Sequence, residues 1–422
     1  MREMKDSGIE WIGEIPSTWK LSKIGQVYTE RKTKVSDRDY PALSVTMKGI
    51  LPQLDTAAKT DAHDDRKLLC KGDFAINSRS DRRGSCGISP VDGSVSLINI
   101  VLQPKEEMNS QYYEWMFHSS MFSDEFYKWG HGIVNDLWTT GWQDMKRIVI
   151  PAPLLQEQKR IAMFLNKQCG ELDNVLAKTR ASIEEYKQLK QAVITQTVTK
   201  GVRGDREMKD SGIEWIGKIP LTWNKCKLKN VSVRIGDGLH GTPEFDDSGD
   251  VYFINGNNIG EKFLEIRSDT KRLSIDELEK YHAPNLNNNT IMITLNGATY
   301  GKVSLYKNYP VLLGKSAGYI TLVETVCREY IRYYLMSSTS KLLMLLSLNG
   351  TTIQNLSLTT LNNFPTLLPP IEEQQEIAHY LDGKVDEIDA LIMKKEQYLI
   401  ELESYKRSLI YEYVTGKEEV PH

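Results

Sequence analysis

The chain has 422 residues, of which 40% are hydrophobic and 26% are charged, and its formal net charge is −3. This length favours two or more domains, and the composition excludes collagen, a disordered chain and a simple coiled coil. No run approaches the ~18 consecutive apolar residues of a membrane span, and residues 1–20 lack the apolar core of a secretory signal. The sequence therefore predicts a cytoplasmic protein.

The chain is a tandem repeat. The segment Arg2–Gly13 recurs unchanged as Arg206–Gly217, 204 residues later. A second, more divergent match joins Pro153–Leu165 to Pro369–Leu381, 216 residues later. Two collinear matches of this length predict a duplicated structural unit, whose second copy is longer by 12 residues.

The repeat divides the sequence into seven predicted segments. They are a short tryptophan motif at 1–19, a first variable domain at 20–152, a helical segment at 153–201, the repeated motif at 202–223, a second variable domain at 224–368, a second helical segment at 369–416, and a tail at 417–422.

The tryptophan motifs carry Trp11 and Trp19 in the first copy and Trp215 and Trp223 in the second, with isoleucines between them. Such residues favour a hydrophobic clasp where the end of a helix meets a domain, rather than a ligand site.

The variable domains are predicted to be α+β, with a twisted sheet. Their apolar, strand-like runs are Val95–Leu102, Val251–Ile254, Thr290–Leu295, Val311–Leu313 and Gly318–Val323. Each domain also contains one predicted helical stretch, at Gln111–Lys128 and Arg328–Ser347.

The helical segments are nearly free of glycine and proline and follow a heptad pattern. We expect them to form a long antiparallel, coiled-coil-like pair that spaces the variable domains, with pseudo-two-fold symmetry. Segment 151–205 has nine basic and six acidic residues and 369–422 has six and thirteen, which favours pairing between the segments over self-pairing. The alternative is that each helix packs on its own domain. The predicted packing positions are Leu165, Leu172, Tyr186, Leu189, Val193, Leu381, Ile388, Leu391, Tyr398, Leu402, Tyr405 and Leu409.

Common catalytic and metal-binding motifs are missing. Gly314-Lys315-Ser316 resembles the end of a phosphate-binding loop, but Tyr309 stands where its first glycine belongs. GxSxG, HExxH, the dinucleotide fingerprint and the NPPY-type tetrapeptide of adenine methyltransferases are also absent. The five cysteines and seven histidines show no ligand spacing. We therefore predict a non-catalytic chain without a metal site or cofactor.

Several polar, glycine-bearing turns contain side chains of the kind that contact DNA bases or phosphates. The loop Asn77–Ser85 carries three arginines, although a solvated charged turn is the alternative interpretation. Because the chain is not basic overall, DNA binding would depend on local patches of this kind. The candidate DNA-binding residues are Lys48, Asn77, Arg79, Arg82, Arg83, His131, Asn135, Asp237, His240, Thr242, Asn255, Asn257, Asn258, Asn296, Thr299, Lys302, Lys315, Thr351 and Gln354.

The motif GIEWIGxIPxTW, the segments PLLQEQKRIAMFL and PPIEEQQEIAHYL, and their order along the chain resemble the specificity subunits of type I restriction-modification systems. The resemblance covers essentially the whole chain. It implies two target recognition domains, each reading one half of a split site in double-stranded DNA, within the cytoplasm of a prokaryotic cell.

The resemblance also implies partner proteins. Methyltransferase subunits, of which we expect two, would dock on the helices and motifs, and restriction subunits would join them. S-adenosylmethionine, ATP and Mg would serve those partners. Two alternatives stay open: a specificity chain for a fused restriction-methylation protein of another type, and a tandem scaffold that binds proteins instead of DNA.

Overall fold

The computed structural model describes residues 2–53, 63–105, 108–132, 138–281, 283–297, 299–347 and 355–421. They form two compact units. Unit 1 consists of Met1–Arg180 and Glu396–His422, and unit 2 of Ala181–Lys395. Each unit thus contains one variable domain, one tryptophan motif and parts of both helical segments. The seven segment boundaries given above stay predictions.

Unit 1 contains short strands and five helices, the last of which continues into unit 2. The strands are β1 (Met4–Asp6), β2 (Glu14–Pro16), β3 (Lys20–Lys23), β4 (Tyr28–Glu30), β5 (Lys34–Val35), β6 (Leu43–Thr46), β7 (Gly49–Pro52), β8 (Arg66–Leu69), β9 (Phe74–Asn77), β10 (Cys86–Ile88), β11 (Gly93–Ser96), β12 (Asn99–Pro104) and β13 (Val149–Ala152). The helices are α1 (Ile24–Val27), α2 (Ser110–His118), α3 (Ser120–Lys128), α4 (Trp142–Met145) and α5 (Leu155–Lys200).

The strands of unit 1 pair antiparallel. The order β10-β9-β12-β4 makes a four-stranded sheet and β11-β8-β5 a three-stranded one. The pairs β1-β2, β6-β7 and β3-β13 complete the unit. Its main core joins the four-stranded sheet to α2 through the buried aromatic rings of Tyr28, Phe74 and Phe117, and Phe117 in turn contacts Phe122 of α3.

Unit 2 repeats this plan with differences. Its strands are β14 (Met208–Asp210), β15 (Lys218–Pro220), β16 (Asn224–Lys227), β17 (Ser232–Asp237), β18 (Val251–Ile254), β19 (Arg272–Leu273), β20 (Thr290–Thr294), β21 (Val303–Leu305), β22 (Val311–Leu313), β23 (Ala317–Leu322) and β24 (Pro365–Leu368). Its helices are α6 (Ile275–Glu279), α7 (Arg328–Met336), α8 (Ser338–Leu346), α9 (Leu358–Asn362) and α10 (Ile371–Val414), which continues into unit 1.

The four-stranded sheet of unit 2 has the order β17-β23-β20-β21, and all its pairs are antiparallel. The three-stranded sheet, β19-β18-β22, contains a parallel pair between β18 and β22. The mixed helix and strand content of the variable domains is thus confirmed.

Three predicted elements are divided in the structure. The run Val95–Leu102 is broken by a turn at 97–98, so that β11 and β12 lie in different sheets. The stretch Gln111–Lys128 forms two helices because Ser119 leaves the helical conformation and its hydroxyl accepts a hydrogen bond from the Phe122 amide. Ser337 divides the second stretch in the same way, accepting from the Ser340 amide. Serine caps of this kind stop one helix and start the next.

Helices α5 and α10 run antiparallel to each other in each unit. In unit 1, Asp173 pairs with Lys406 at 2.6 Å and Arg180 with Glu403 at 2.5 Å. In unit 2, Lys190 of α5 pairs with Asp389 of α10 at 2.7 Å. Arg203, which follows the end of α5, pairs with Glu376 of α10 at 2.9 Å.

The predicted seam between the helices is half right. One heptad stripe, which includes Leu165, Leu381 and Leu409, is buried. Its partner stripe lies four residues after it in each helix, at Cys169, Leu176 and Ile183 in α5 and at Val385 and Ile392 in α10. The prediction placed that stripe on the other side, and Leu189, Leu391, Tyr398 and Tyr405 are instead exposed. Lys190 and Lys406 occupy positions of this partner stripe, where each forms an ion pair with an aspartate of the other helix. Because lysine is polar, the stripe does not stand out as apolar in the sequence.

Each tryptophan motif forms a clasp around one glutamate of a helix. In unit 1, Glu157 receives Arg2 Nη1 on one oxygen at 2.6 Å and Trp19 Nε1 on the other at 2.8 Å. In unit 2, Glu373 receives Arg206 Nη1 at 2.6 Å and Trp223 Nε1 at 3.0 Å. Each arginine also lies over the ring of its tryptophan. We call these sites, each made of a glutamate, an arginine and a tryptophan, the unit 1 and unit 2 clasps.

The arginine of each clasp also binds the end of a long helix. Arg2 Nη2 donates to the Gly416 carbonyl at 2.7 Å, and Arg206 Nη2 donates to the Lys200 carbonyl at 2.6 Å. Gly416 has a φ of +75°, and a Cβ there would lie 2.7 Å from the Pro16 ring, so this close approach requires glycine. The end of the C-terminal helix therefore meets the N-terminal motif, as the collinear repeat predicts.

Most of the motif's apolar side chains are buried, as a structural clasp requires. Trp11, Trp19 and Trp223 lie in the two cores. Trp215 is the exception, because 38% of its surface is exposed. It is therefore not packed in the same way as Trp11, its counterpart in the first motif.

Replacing Glu373 by Ala is expected to lower the free energy of unfolding by about 3 to 5 kcal/mol, because it leaves the partly buried Arg206 charge without its partner. Glu157→Ala should cost less, since the Glu157 side chain is 30% exposed and that of Glu373 only 2%. Denaturant-induced unfolding measures both. The exposed neighbour Glu372, changed to Ala, is the matched control, and an equal loss from the control would contradict the assignment.

His118 makes the stability of unit 1 depend on pH. Burial, reinforced by the nearby Lys406 ammonium, lowers the pKa of His118 to about 4. Between about pH 6.5 and pH 4, the unfolded chain binds a proton at His118 more readily than the folded chain does. The free energy of unfolding is therefore not reduced by His118 at neutral pH, and it should decline by about 2 kcal/mol as the pH falls from about 6.5 to 4. Thermal unfolding from pH 7 to 4 tests this. His118→Gln should flatten the decline, whereas His131→Gln, at an exposed site, should not.

Candidate nucleic-acid interface

The three-arginine loop of unit 1 is a fixed structure at the end of β9. The Asn77 amide donates to the Ser85 carbonyl, which closes the loop, and the Asn77 Oδ1 accepts from the Arg79 amide at 3.1 Å. A 3₁₀ turn, Ser80–Arg82, presents the arginine side chains. Asn77, Arg79, Arg82 and Arg83 all line one cleft of about 530 Å³, so the structure brings together four residues chosen from the sequence.

The three arginines differ in their availability. Arg79 makes two hydrogen bonds to the Asp81 carboxylate, at 2.9 and 3.0 Å. Arg83 pairs with Asp124 at 2.7 Å and lies over the Tyr127 ring. Arg82 is 67% exposed and its nearest carboxylate oxygen is 3.9 Å away. Of the three, Arg82 is the guanidinium that can reach a ligand without first giving up a short ion pair.

Lys48 and His131, the other described candidates of unit 1, do not line this cleft. Lys48 is exposed in the turn between β6 and β7 and lines a second cleft, of about 680 Å³. His131 is paired through its backbone with Thr139, and its ring lies 3.4 Å from an Asp144 oxygen. Asn135 lies outside the described residues.

In unit 2, the turn after β17 holds a short hydrogen bond between two side chains. His240 Nε2 lies 2.7 Å from an Asp237 oxygen, and both side chains are accessible. Thr242 is exposed nearby in the sequence. These three residues form an accessible polar turn.

The asparagines of the turn after β18 differ in their burial. Asn258 is buried, and its amide nitrogen donates to the Glu265 carbonyl and the Thr270 hydroxyl, each at 3.1 Å. Its oxygen accepts from the Asn255 amide. The hydrogen bonds of Asn258 thus hold the turn, and its role in DNA binding stays a prediction. Asn257 is exposed, and Asn255 accepts from Ser316.

The other described candidates of unit 2 lie in separate segments of the chain. Thr299 and Lys302 line a cavity of about 350 Å³ with the apolar side chains of Met336 and Met344. Asn296 pairs through its backbone with Asn355, and Lys315 is exposed. Thr351 and Gln354 lie outside the described residues.

The structure adds one cationic residue to this surface that the sequence did not single out. Arg66, the first residue of β8, lines the same cleft as Arg82. A single arginine at the start of a strand carries no local signal, since its burial depends on β11, which is distant in sequence.

Asn258→Ala is expected to lower the free energy of unfolding by about 1 to 3 kcal/mol, because buried hydrogen-bonding groups lose their partner. It should leave any sequence preference unchanged at saturating protein. The adjacent exposed Asn257, changed to Ala, is the matched control for stability. Thermal unfolding distinguishes the two, and an unfolding midpoint unaffected by Asn258→Ala would contradict its structural role.

Comparison with known proteins identifies the architecture. Residues 220–402 match the family described as type I restriction modification DNA specificity domain. The chain is 27% identical over 424 residues to the type I restriction enzyme MjaVIII specificity subunit of Methanocaldococcus jannaschii, a match that covers 96% of this chain and 93% of that protein. It is 26% identical over 277 residues to the putative type I restriction enzyme MjaX specificity subunit of the same organism, covering 65% and 60%.

Two solved structures share the fold. A chain from a structural study of the assembly and conformational transition of the type I restriction-modification system has a TM-score of 0.74 at 16% identity, over 96% of this chain and 99% of that one. The HsdS subunit of Thermoanaerobacter tengcongensis has a TM-score of 0.51 at 17% identity, over 96% and 98%.

The matched residues 220–402 include the second variable domain and most of α10. The chain is therefore similar over 220–402 to the DNA specificity domain of type I restriction-modification systems, and along most of its length to a specificity subunit of such a system. Among the helices of the described residues, we find none long and apolar enough to cross a membrane.

Proposed function

We propose that the chain reads a two-part site in double-stranded DNA, with residues 20–152 reading one half and 224–368 reading the other. The observation that carries this proposal is the duplication of the clasp. The same three side chains hold each tryptophan motif to the start of a long helix, although the variable domains that follow the motifs differ. A constant frame with exchangeable domains suits a protein that changes its target and keeps its partners.

The polar clefts and turns support contact with DNA. Arg82, Lys48 and Lys315 are exposed cations on loops, where they can donate to phosphates or base edges. The accessible pair of Asp237 and His240 and the exposed Asn257 give unit 2 both donors and acceptors. The net charge of −3 means that such local groups, together with partner proteins, would supply the attraction to phosphate.

The chemistry of the system is assigned to partners. Methyltransferase subunits would bind the frame of helices and clasps, and the two equivalent clasps favour two copies of that subunit. Restriction subunits would join this complex. S-adenosylmethionine, ATP and Mg would be bound by those partners, and this chain would carry out no catalytic step. The cytoplasm of a prokaryotic cell is the location that fits such a complex.

Exchange of one domain tests the division of labour. Replacing 20–152 by the matching domain of a relative, in cells that also express the methyltransferase subunit, should change one half of the methylated sequence and leave the other intact. Replacing 224–368 should change the opposite half. Sequencing of methylated sites in the host genome is the measurement.

Expression of the chain without its partners is the control and should give no methylation. A change in both half-sites after a single exchange would contradict independent reading. Methylation that persists with only a fused restriction-methylation protein would favour that alternative partner. Absence of any sequence-dependent protection of duplex DNA would favour the protein scaffold.

Helix length is proposed to set the spacing between the half-sites. Inserting four residues between Thr179 and Arg180, and four between Glu403 and Ser404, lengthens both helices at positions that face each other through the Arg180–Glu403 pair. Four helical residues add about 6 Å, so we expect the preferred spacer to shift by about one or two base pairs while both half-sites stay the same.

Methylation of a plasmid library with randomised spacer lengths measures this shift. Substituting four exposed residues of α5 without changing its length is the control. An unchanged spacer preference with full activity would show that the helices do not set the distance.

A further inference from the structure

Arg66 is a buried arginine held rigidly at the edge of the three-arginine cleft. It is 6% exposed, and its Nε donates to the Ser94 hydroxyl at 2.8 Å. Its Nη2 donates to the Ser94 carbonyl at 3.1 Å. Because Ser94 lies on β11, which pairs with the Arg66 strand, the guanidinium is fixed by the sheet itself.

The Arg66 charge has no carboxylate partner among the residues that the structure describes. The acid that influences it from a distance is Asp37, which is engaged by the His63 ring at 2.9 Å. Burial lowers the pKa of Arg66, because desolvation is not offset by a nearby anion. Burying a guanidinium without a carboxylate partner is costly, and an anion that pairs with it would offset part of that cost.

The cleft around Arg66 carries a surplus of positive charge. Arg66, Arg79, Arg82 and Arg83 line it, and Asp81 is the acidic residue among the described lining residues. Asp81 is occupied by Arg79 and lies 3.9 Å from Arg82. Asp124 neutralises Arg83 from outside the lining. Four guanidinium groups are thus balanced by only two carboxylates, so the positive charge of the cleft could be neutralised further by a bound anion.

We propose that this cleft binds one phosphate of the DNA backbone, with the Arg66 guanidinium as its fixed donor and Arg82 as its mobile one. This inference rests on the proposed function of DNA recognition. A phosphate fits this site better than a base edge. Ser94 holds two of the three guanidinium nitrogens of Arg66, so the side chain has little freedom to adjust its position to a base. Contacts to phosphates position a protein on the duplex and do not require such adjustment. The bound phosphate would fix the register of the loop 77–85 on the duplex.

The test uses the full chain in complex with its methyltransferase subunit. Arg66→Gln is expected to weaken binding by about 10- to 100-fold, the loss typical of a charge-assisted hydrogen bond. The factor should be the same for cognate and unrelated duplexes, because a phosphate carries no sequence information. The dependence of affinity on salt should also become shallower, by about 0.9 in its logarithmic slope.

Methylphosphonate substitution locates the phosphate. Neutralising each phosphate of the cognate duplex in turn should reveal one position that weakens the unmodified protein and has no further effect on Arg66→Gln. A loss confined to the cognate duplex, or the absence of such a position, would overturn the proposal.

Controls separate this site from folding and from general charge. Arg66→Lys should restore part of the affinity, and Arg147→Gln, which removes an exposed charge outside the cleft, should change neither affinity nor slope by a comparable amount. Thermal unfolding of each variant identifies any loss caused by misfolding, and the partial rescue by lysine then decides the question.

Two further outcomes are distinct. If the unmodified complex binds no duplex with sequence preference, the proposed function itself fails. If it binds DNA and Arg66→Gln binds equally well, the phosphate site fails and DNA recognition stands. Thermal stabilisation by inorganic phosphate that requires Arg66, combined with unchanged DNA affinity, would assign the cleft to a free anion and reject the proposal.

Discussion

In both units, the attachment of the long helix to the tryptophan motif depends on one carboxylate shared by two unlike donors. Glu157 and Glu373 each accept from an arginine on one oxygen and from a tryptophan indole on the other. With both oxygens occupied, the first turn of each long helix can take only one orientation against its tryptophan motif. The variable sheets on either side can then differ without altering how they are held.

The adjacent glutamine completes this arrangement. Gln158 donates to the Pro153 carbonyl and accepts from the Asn109 amide at the start of α2, and Gln374 makes the same bonds with Pro369 and Cys327. The Glu-Gln pair therefore joins the helix, the tryptophan motif and the helical part of the variable domain. This explains why proline, glutamate and glutamine recur together in both copies of the sequence.

The sequence predicts the repeated features well and the unrepeated ones poorly. The long helices, the clasp and the mixed domains follow from repeats, helix formers and apolar runs, all of which are local signals. The side of the helix pair was misassigned because Lys190 and Lys406 hide within the buried stripe. The burial of Asn258 and Arg66 depends on partners that arrive from elsewhere in the chain, so composition and spacing could not reveal it.

The contact between Arg2 and the Gly416 carbonyl joins two segments of unit 1 that lie on either side of unit 2 in the sequence. The core of unit 1 contains Leu409, Ile410, Tyr413 and Val414, which are synthesised after the whole of unit 2. Unit 1 is therefore the later of the two to become complete, although most of its residues precede unit 2. Its apolar surface near α5 stays uncovered until the second half of α10 has been made.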